Sequence, residues 1–346
     1  MNRVQIGRHW IGPGETVFVI GEIGANFFSR DEGLALIDAA AAAGADAVKV
    51  QTFRAETLST PGAMFTFEDG SRVDQREYWK EREISEAWHR ELKAYAAQKG
   101  LEFFSTPSHV DDVDLLERIG VPAHKIGSDD LTNIPFITSI ARRGHPVILS
   151  TGMCTLDEIA RSVDAFRETR NDGLILLHCL VGYPAPRENA NLRVIETLRA
   201  AFGCPIGFSD HTSDSLAACL AVALGACVVE RHLTLKPERG GPDDLVASDP
   251  AGFAEYVRDI RAVPEMLGSG TKRIMPGEMK WRDAGRKSIV TAVGVQAGDR
   301  LTAAHLTLKR PATGLHPHLL EQVIGAVARR DLAADEVVHL CDLSWD

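Results

Sequence analysis

The stretch Gly207–Ser248, GFSDHTSDSLAACLAVALGACVVERHLTLKPERGGPDDLVAS, decides how the rest of the chain is read. Cys204–Ser209 and Ala226–Glu230 are short apolar runs of β-branched or bulky residues. Each ends at a histidine, His211 and His232, and Leu216–Leu224 between them has helical composition. The pattern predicts strand, helix, strand, with two imidazoles at equivalent carboxyl ends. Parallel strands joined by a helix usually lie side by side, about 5 Å apart, so the rings converge on one point. A lone histidine at a strand end is ordinarily just a hydrogen-bonding group. Two at matched positions, followed by Asp243 and Asp244, point to a divalent metal site whose imidazole and oxygen donors suit manganese, zinc or iron.

Working outward, the same alternation persists. VFVIGEIG (17–24), DAVKVQ (46–51), LEFFST (101–106), HKIG (124–127), PVILST (146–151) and LILLH (174–178) read as buried strands. Helical patterns separate them over Asp31–Gly44, Ser85–Lys99, Val110–Ile119, Ile134–Arg143, Leu156–Glu168 and Asn191–Phe202. Eight apolar strands alternating with helices predict an α/β fold, a closed (β/α)8 TIM barrel. Residues 1–16 read as a small polar flap or hairpin. Arg54–Lys80, rich in Thr, Phe and charge and without helical periodicity, interrupts the alternation on the carboxyl-end side, as either a lid or a surface loop. The last barrel helix is expected at Pro250–Leu267. The domains then read as a barrel over 1–266, a linker over 267–285 and a compact α+β module over 286–346, with strand-like SIVTAV and LTLKRP and a helical piece, EQVIGAVA.

Composition narrows the function classes. With 45% apolar and 25% charged residues the 346-residue chain can bury a large core, and a net charge of −10 argues against a nucleic-acid partner. Six cysteines without CxxC pairing, mostly inside apolar runs, read as buried reduced thiols. No stretch has signal-peptide or membrane-spanning character, so a cytoplasmic location and no membrane partner are expected.

Reactive side chains cluster at the strand ends, where barrels keep their chemistry. Glu22 closes the first strand, Lys49 and Gln51 the second, Ser105 and Thr106 the third, Lys125 and Ser128 the fourth, Ser150 and Thr151 the fifth. His178 closes the sixth, with Tyr183 shortly after, and Ser209, Asp210 and His211 close the seventh. Lys49 inside apolar AVKVQ either snorkels to the barrel mouth or holds an anion, and its repetition at Lys125 favours the anion. Two lysines with several hydroxyls make a cradle for a phosphate and a carboxylate. A metal, two lysines and a carboxylate together suit carbon–carbon bond chemistry at a carbonyl.

These residues resemble the sialic acid (N-acetylneuraminate) synthase family through EIGAN, AGADAVKVQTF, FFSTP, KIGSDDLTN, PVILSTGM, LLHC, YPAP, GFSDHT, ERHLTL, GGPD, RKSIV and KRPATG, in order along nearly the whole chain. The resemblance implies a barrel followed by an antifreeze-like (SAF) domain. It implies condensation of phosphoenolpyruvate with an N-acylated hexosamine such as N-acetylmannosamine, giving a nine-carbon 2-keto acid and phosphate. His211 and His232 would hold a divalent metal, most readily Mn²⁺, and Glu22 would orient or deprotonate a water. Lys49, Gln51, Thr106, Lys125, Ser128, Ser150 and Ser209 match positions that grip phosphoenolpyruvate, with Tyr183 beside it. Asp243 matches an aspartate that holds sugar hydroxyls. Arg310 matches an arginine that one subunit extends into the barrel of another, which implies a domain-swapped homodimer.

Two departures fall on the acceptor side. Family members commonly read Asn-His-x-Gly after the first strand, where this chain has Asn26 followed by Phe27, Phe28 and Ser29, and Val181 replaces an asparagine two residues before Tyr183. Lost polar groups there suggest a deoxy or diacetamido hexose, as in legionaminic or pseudaminic acid precursors, with mannose another alternative. A non-catalytic carbohydrate-binding or assembly protein is the competing class. Retention of such a costly polar cluster weighs against it.

Overall fold

The computed structural model describes residues 3–66, 70, 72–182, 184–239, 243–244 and 246–345. The chain divides into two compact units, Met1–Gly268 and Ser269–Asp346.

In the first unit eight parallel strands close into a barrel: β1 (Phe18–Glu22), β2 (Ala47–Thr52), β3 (Glu102–Pro107), β4 (His124–Ile126), β5 (Val147–Ser150), β6 (Leu174–Cys179), β7 (Ile206–Asp210) and β8 (Val228–His232). Each is followed by its helix: α1 (Arg30–Ala43), α2 (Glu86–Gln98), α3 (Val110–Ile119), α4 (Ile134–Ala141), α5 (Leu156–Glu168), α6 (Val194–Phe202), α7 (Leu216–Ala223) and α8 (Pro250–Leu267). Burial on both faces explains why the strands read as unbroken apolar runs. Their outward residues, such as Val50, Ile126 and Leu149, pack under helix residues such as Leu36, Phe136, Ile137 and Phe253. Each fully buried side chain of this size contributes about 1.5–3 kcal/mol.

Local chemistry sets the helix starts. Thr155 and Glu158 form a reciprocal capping box at α5, and the Asp249 carboxylate accepts from Gly252 N at 2.7 Å ahead of Pro250 at α8.

Of the two readings of residues 1–16, the hairpin holds: Val4–Ile6 and His9–Ile11 pair antiparallel, with Val4, Ile6 and Ile11 buried rather than polar. Arg8 N donates to the Glu102 carboxylate at 3.1 Å and the His9 ring packs edge-on against Phe18 at 5.2 Å, so the hairpin sits over the amino ends of the barrel strands. Arg54–Lys80 is not irregular throughout. It contains a short helix (Ala55–Leu58), a hairpin (Met64–Thr66 with Arg72–Asp74) and a helix (Gln75–Lys80) capped by Asp74. Its order comes from aromatic packing rather than helical periodicity: the Trp79 ring meets Phe53, Phe65 and Tyr78 at 5.1, 5.9 and 5.1 Å.

The second unit pairs Ser288–Thr291 with Leu306–Lys309 and Val327–Ala328 with Leu343–Ser344 around a small core of Ile289, Val295, Leu301, Leu332 and Val338. EQVIGAVA is helical only over Leu320–Val323; Gly325, at φ 95°, turns the chain and its end joins a strand. Within the segment read as linker, Met279–Gly285 is a helix.

Candidate active site

Strand register decides which side chains meet. Glu22 stands opposite Lys49 on β2 and opposite His232 on β8, and Gln51 stands opposite Thr106. These and their neighbours line one cavity of about 260 Å³ at the carboxyl ends, with Lys125, Ser128, Ser150, Ser209, His211 and Asp243 also in its wall. Among the site residues read from sequence, Tyr183 lies outside the described residues. Arg310 is exposed in the second unit.

The floor holds two buried cations in a carboxylate network. Lys49, 4% exposed, contacts the Glu22 carboxylate, donates to Thr106 Oγ1 at 2.9 Å and lies 3.8 Å from Glu230. Lys125, 3% exposed, donates to Ser150 Oγ at 2.6 Å and lies 3.7 Å from Glu230. Glu230 thus bridges the lysines and accepts from Ser209 Oγ at 3.1 Å. Although burial pushes Glu230 up, Lys125 and Lys49 hold it below the usual carboxylate range. Burial dominates at Lys49 and lowers it to about 8, against the opposing pull of Glu230. Gly24 N donates to the Glu22 carboxylate, and glycine is needed there because a Cβ would sit 2.5 Å from Glu22 Oε1 and 2.6 Å from Gln51 N.

The two imidazoles converge, with ring centres 5.4 Å apart and planes inclined at 35°. His211 Nδ1 donates to the Leu180 carbonyl at 2.9 Å, which puts the ring's lone pair on Nε2. Burial, with His211 and Lys49 nearby, holds His232 well below the ordinary histidine value and therefore neutral. His232 thus has the form that ligates metals; at His211 burial pushes the value down, but Cys179 and the Leu180 carbonyl hold it above the ordinary histidine value, so a bound cation would displace its second proton. Among the described residues no group of three His, Cys, Asp or Glu side chains is placed to hold a metal. Two converging imidazoles are donors that suit a divalent ion, which His211 and His232 would hold. Asp243 lies in the same wall, raised to about 6 chiefly by burial.

Sequence reasoning missed Glu230, Cys179 and Asp129, and four of the strand-end side chains it marked, Ser105, Thr151, His178 and Asp210, do not line the cavity. Glu230 was legible, because it stands two residues before His232 and strand parity aims both inward. Cys179, not His178, faces the cavity and comes 3.9 Å from His211 Nδ1; His178 points outward, bonded to the Ala190 carbonyl at 2.8 Å. Asp129 lies in a 3-10 turn after β4 with no pattern to mark it. At the mouth Phe53, Leu58, Trp79, Met153 and Val181 make an apolar rim, so the insertion after β2 covers the site.

A barrel that buries two lysines, several carboxylates and a pair of imidazoles around one small cavity at its carboxyl ends belongs to the enzymes that handle small anions there. A NeuB family model matches residues 36–272 and a SAF domain model matches 286–344. The chain is 37% identical over 333 residues to the N,N'-diacetyllegionaminic acid synthase of Legionella pneumophila, covering 93% of each chain. It is 38% identical over 347 residues to an uncharacterized protein of Methanocaldococcus jannaschii, covering all of both. The crystal structure of N-acetylneuraminic acid synthetase from Leptospira borgpetersenii superposes with a TM-score of 0.72 at 32% identity, over 81% of this chain and 94% of that one. The chain belongs to the NeuB family, the nonulosonic acid synthases. Among the described residues no helix is long and apolar enough to cross a membrane.

Proposed function

We propose that the chain condenses phosphoenolpyruvate with an N-acylated hexosamine, releasing phosphate and a nine-carbon 2-keto acid. The observation that carries this reading is the pair of buried lysines, Lys49 and Lys125, beside two converging imidazoles in one cavity. Lys49 and Lys125, with Gln51, Thr106, Ser128, Ser150 and Ser209, hold the phosphate and carboxylate of phosphoenolpyruvate, whose charge replaces part of the neutralisation that Glu22 and Glu230 provide in the ligand-free protein. His211 and His232 would hold a manganese-type ion, which when bound polarises the open-chain aldehyde of the acceptor. Glu22 takes the proton of the water that adds at carbon 2 once carbon 3 has bonded to the aldehyde carbon. Lys49 and Lys125 then stabilise the phosphate as it leaves. Asp243 accepts from acceptor hydroxyls, and Arg310 of one copy binds the acyl group in the barrel of another, in a domain-swapped homodimer.

The apolar rim favours an acceptor with methyl-bearing substituents, a diacetamido-trideoxyhexose of the legionaminic or pseudaminic type, over N-acetylmannosamine or mannose. Phosphate release is measured with phosphoenolpyruvate, Mn²⁺ and each acceptor in turn, and products are weighed by mass spectrometry. Release with an N-acylated hexosamine is expected; no release with any six-carbon acceptor would sink the reading.

A further inference from the structure

The faces of β7 and β8 opposite to the imidazoles carry an ion pair that the reaction above does not use. Asp210 stands opposite Arg231, one step before each histidine. Because Ser209 and Glu230 bond inside the barrel, strand alternation turns Asp210 and Arg231 outward, under α8. There Arg231 Nη1 lies 3.6 Å from Asp210 Oδ2, and Tyr256 Oη of α8 donates to that same oxygen at 2.8 Å. The other carboxylate oxygen accepts from Thr212 N at 2.8 Å and Thr212 Oγ1 at 2.7 Å. Arg231 also donates to the Thr212 carbonyl and, through Nε, to Ser248 Oγ at 3.1 Å, while Ser248 N donates to the His232 carbonyl at 2.9 Å. One network therefore grips the residues on both sides of His211 and the main chain of His232. All of its side chains but that of Ser248 are buried.

A buried ion pair is an uncertain route to stability, since apolar side chains of the same volume often do as well. Outward positions on other strands of the barrel, such as Val50, Ile126 and Leu149, follow that economy. The Asp210–Arg231 pair lies directly behind the two rings. We propose that Asp210 and Arg231 are positioning residues that set the separation and tilt of His211 and His232, and so the strength with which the two imidazoles hold a divalent cation. This rests on the reading of those imidazoles as a cation site.

The test is calorimetric titration of chelator-treated protein with Mn²⁺, in the absence of substrates. Wild-type protein should bind Mn²⁺ and His232→Ala should not; if wild type takes up no divalent cation, the cation-site reading and this inference both fall. Asp210→Asn, which keeps shape and removes charge, should weaken Mn²⁺ binding at least tenfold, as outer-shell substitutions do. It should also shift the absorption bands of bound Co²⁺ and lower kcat, with KM for phosphoenolpyruvate within about twofold because the lysine cradle is untouched. The control is Asp46→Asn, which loses a 2.6 Å contact with Arg261 at the other end of the barrel and should lower the melting temperature without altering Mn²⁺ affinity. If Asp210→Asn melts earlier but binds Mn²⁺ like wild type, the network is structural and the inference fails, while the cation site stands. Should Asp210→Asn not fold, Tyr256→Phe removes one bond to the same carboxylate and should weaken Mn²⁺ about threefold; unchanged affinity there overturns the inference.

Discussion

Replacing Glu230 by Gln tests the electrostatics of the floor. The carboxylate lies 3.8 Å from Lys49 Nζ and 3.7 Å from Lys125 Nζ, and each attraction is about 4 kcal/mol at an effective dielectric constant near 20. Desolvation offsets much of that, and removing one partner from a buried ionic group typically costs about 3–5 kcal/mol. Lys49 keeps Glu22, and Lys125 keeps its hydrogen bonds to Ser150 Oγ and the Ile126 carbonyl, so the low end applies. For a unit of this size about 3 kcal/mol lowers the melting temperature by roughly 6 °C. Thermal melts without ligand at pH 7 should show that loss. Because two cations are then under-neutralised, phosphoenolpyruvate should raise the variant's melting temperature by more than it raises that of wild type. Acid should erase the difference: the folded-state value of Glu230 is below 4.5, so its contribution is present above about pH 4.5 and is lost as pH falls through the folded value. An unchanged melting temperature, or a smaller ligand-induced rise than in wild type, would refute the bridging role.

Other outcomes follow from the same geometry. His211→Ala should abolish turnover and leave the circular dichroism spectrum intact, because the ring lies at a strand end, outside the packed layers. Arg310→Ala should raise KM for the acceptor about tenfold or more and leave that for phosphoenolpyruvate within about twofold in steady-state assays; equal effects on both would remove it from the acceptor site. With Lys49 lowered to about 8, kcat/KM for phosphoenolpyruvate should fall as pH rises past 8, and a flat profile to pH 9.5 would count against a cationic Lys49 as anion holder. The same depressed value makes Lys49 destabilising at neutral pH, a cost that is relieved between about pH 8 and 10.5 as the unfolded-state lysine also loses its proton.

Much of the barrel was legible in the sequence because the physics that builds it is local or nearly so. Strands buried on both faces must be apolar throughout, and helices between them must carry caps, so Val110–Ile119, Leu156–Glu168 and Pro250–Leu267 end where the pattern ends. The insertion was less legible. Its helix and hairpin are held by Trp79, Phe53, Phe65 and Tyr78, which form no periodic stripe and become a cluster only when folded together.

By itself the sequence determined the eight-fold alternation and the placing of Glu22, Lys49, Lys125, His211 and His232 at strand ends. Only the tertiary structure decided that Glu230 joins the two lysines, that Cys179 rather than His178 faces the cavity, and that Asp210 and Arg231 lock together behind the histidines. The reason is closure. A strand's apolar run declares that both faces are covered, but which residues point to the lumen depends on the register against two neighbours, and that register exists only once the eighth strand has paired with the first.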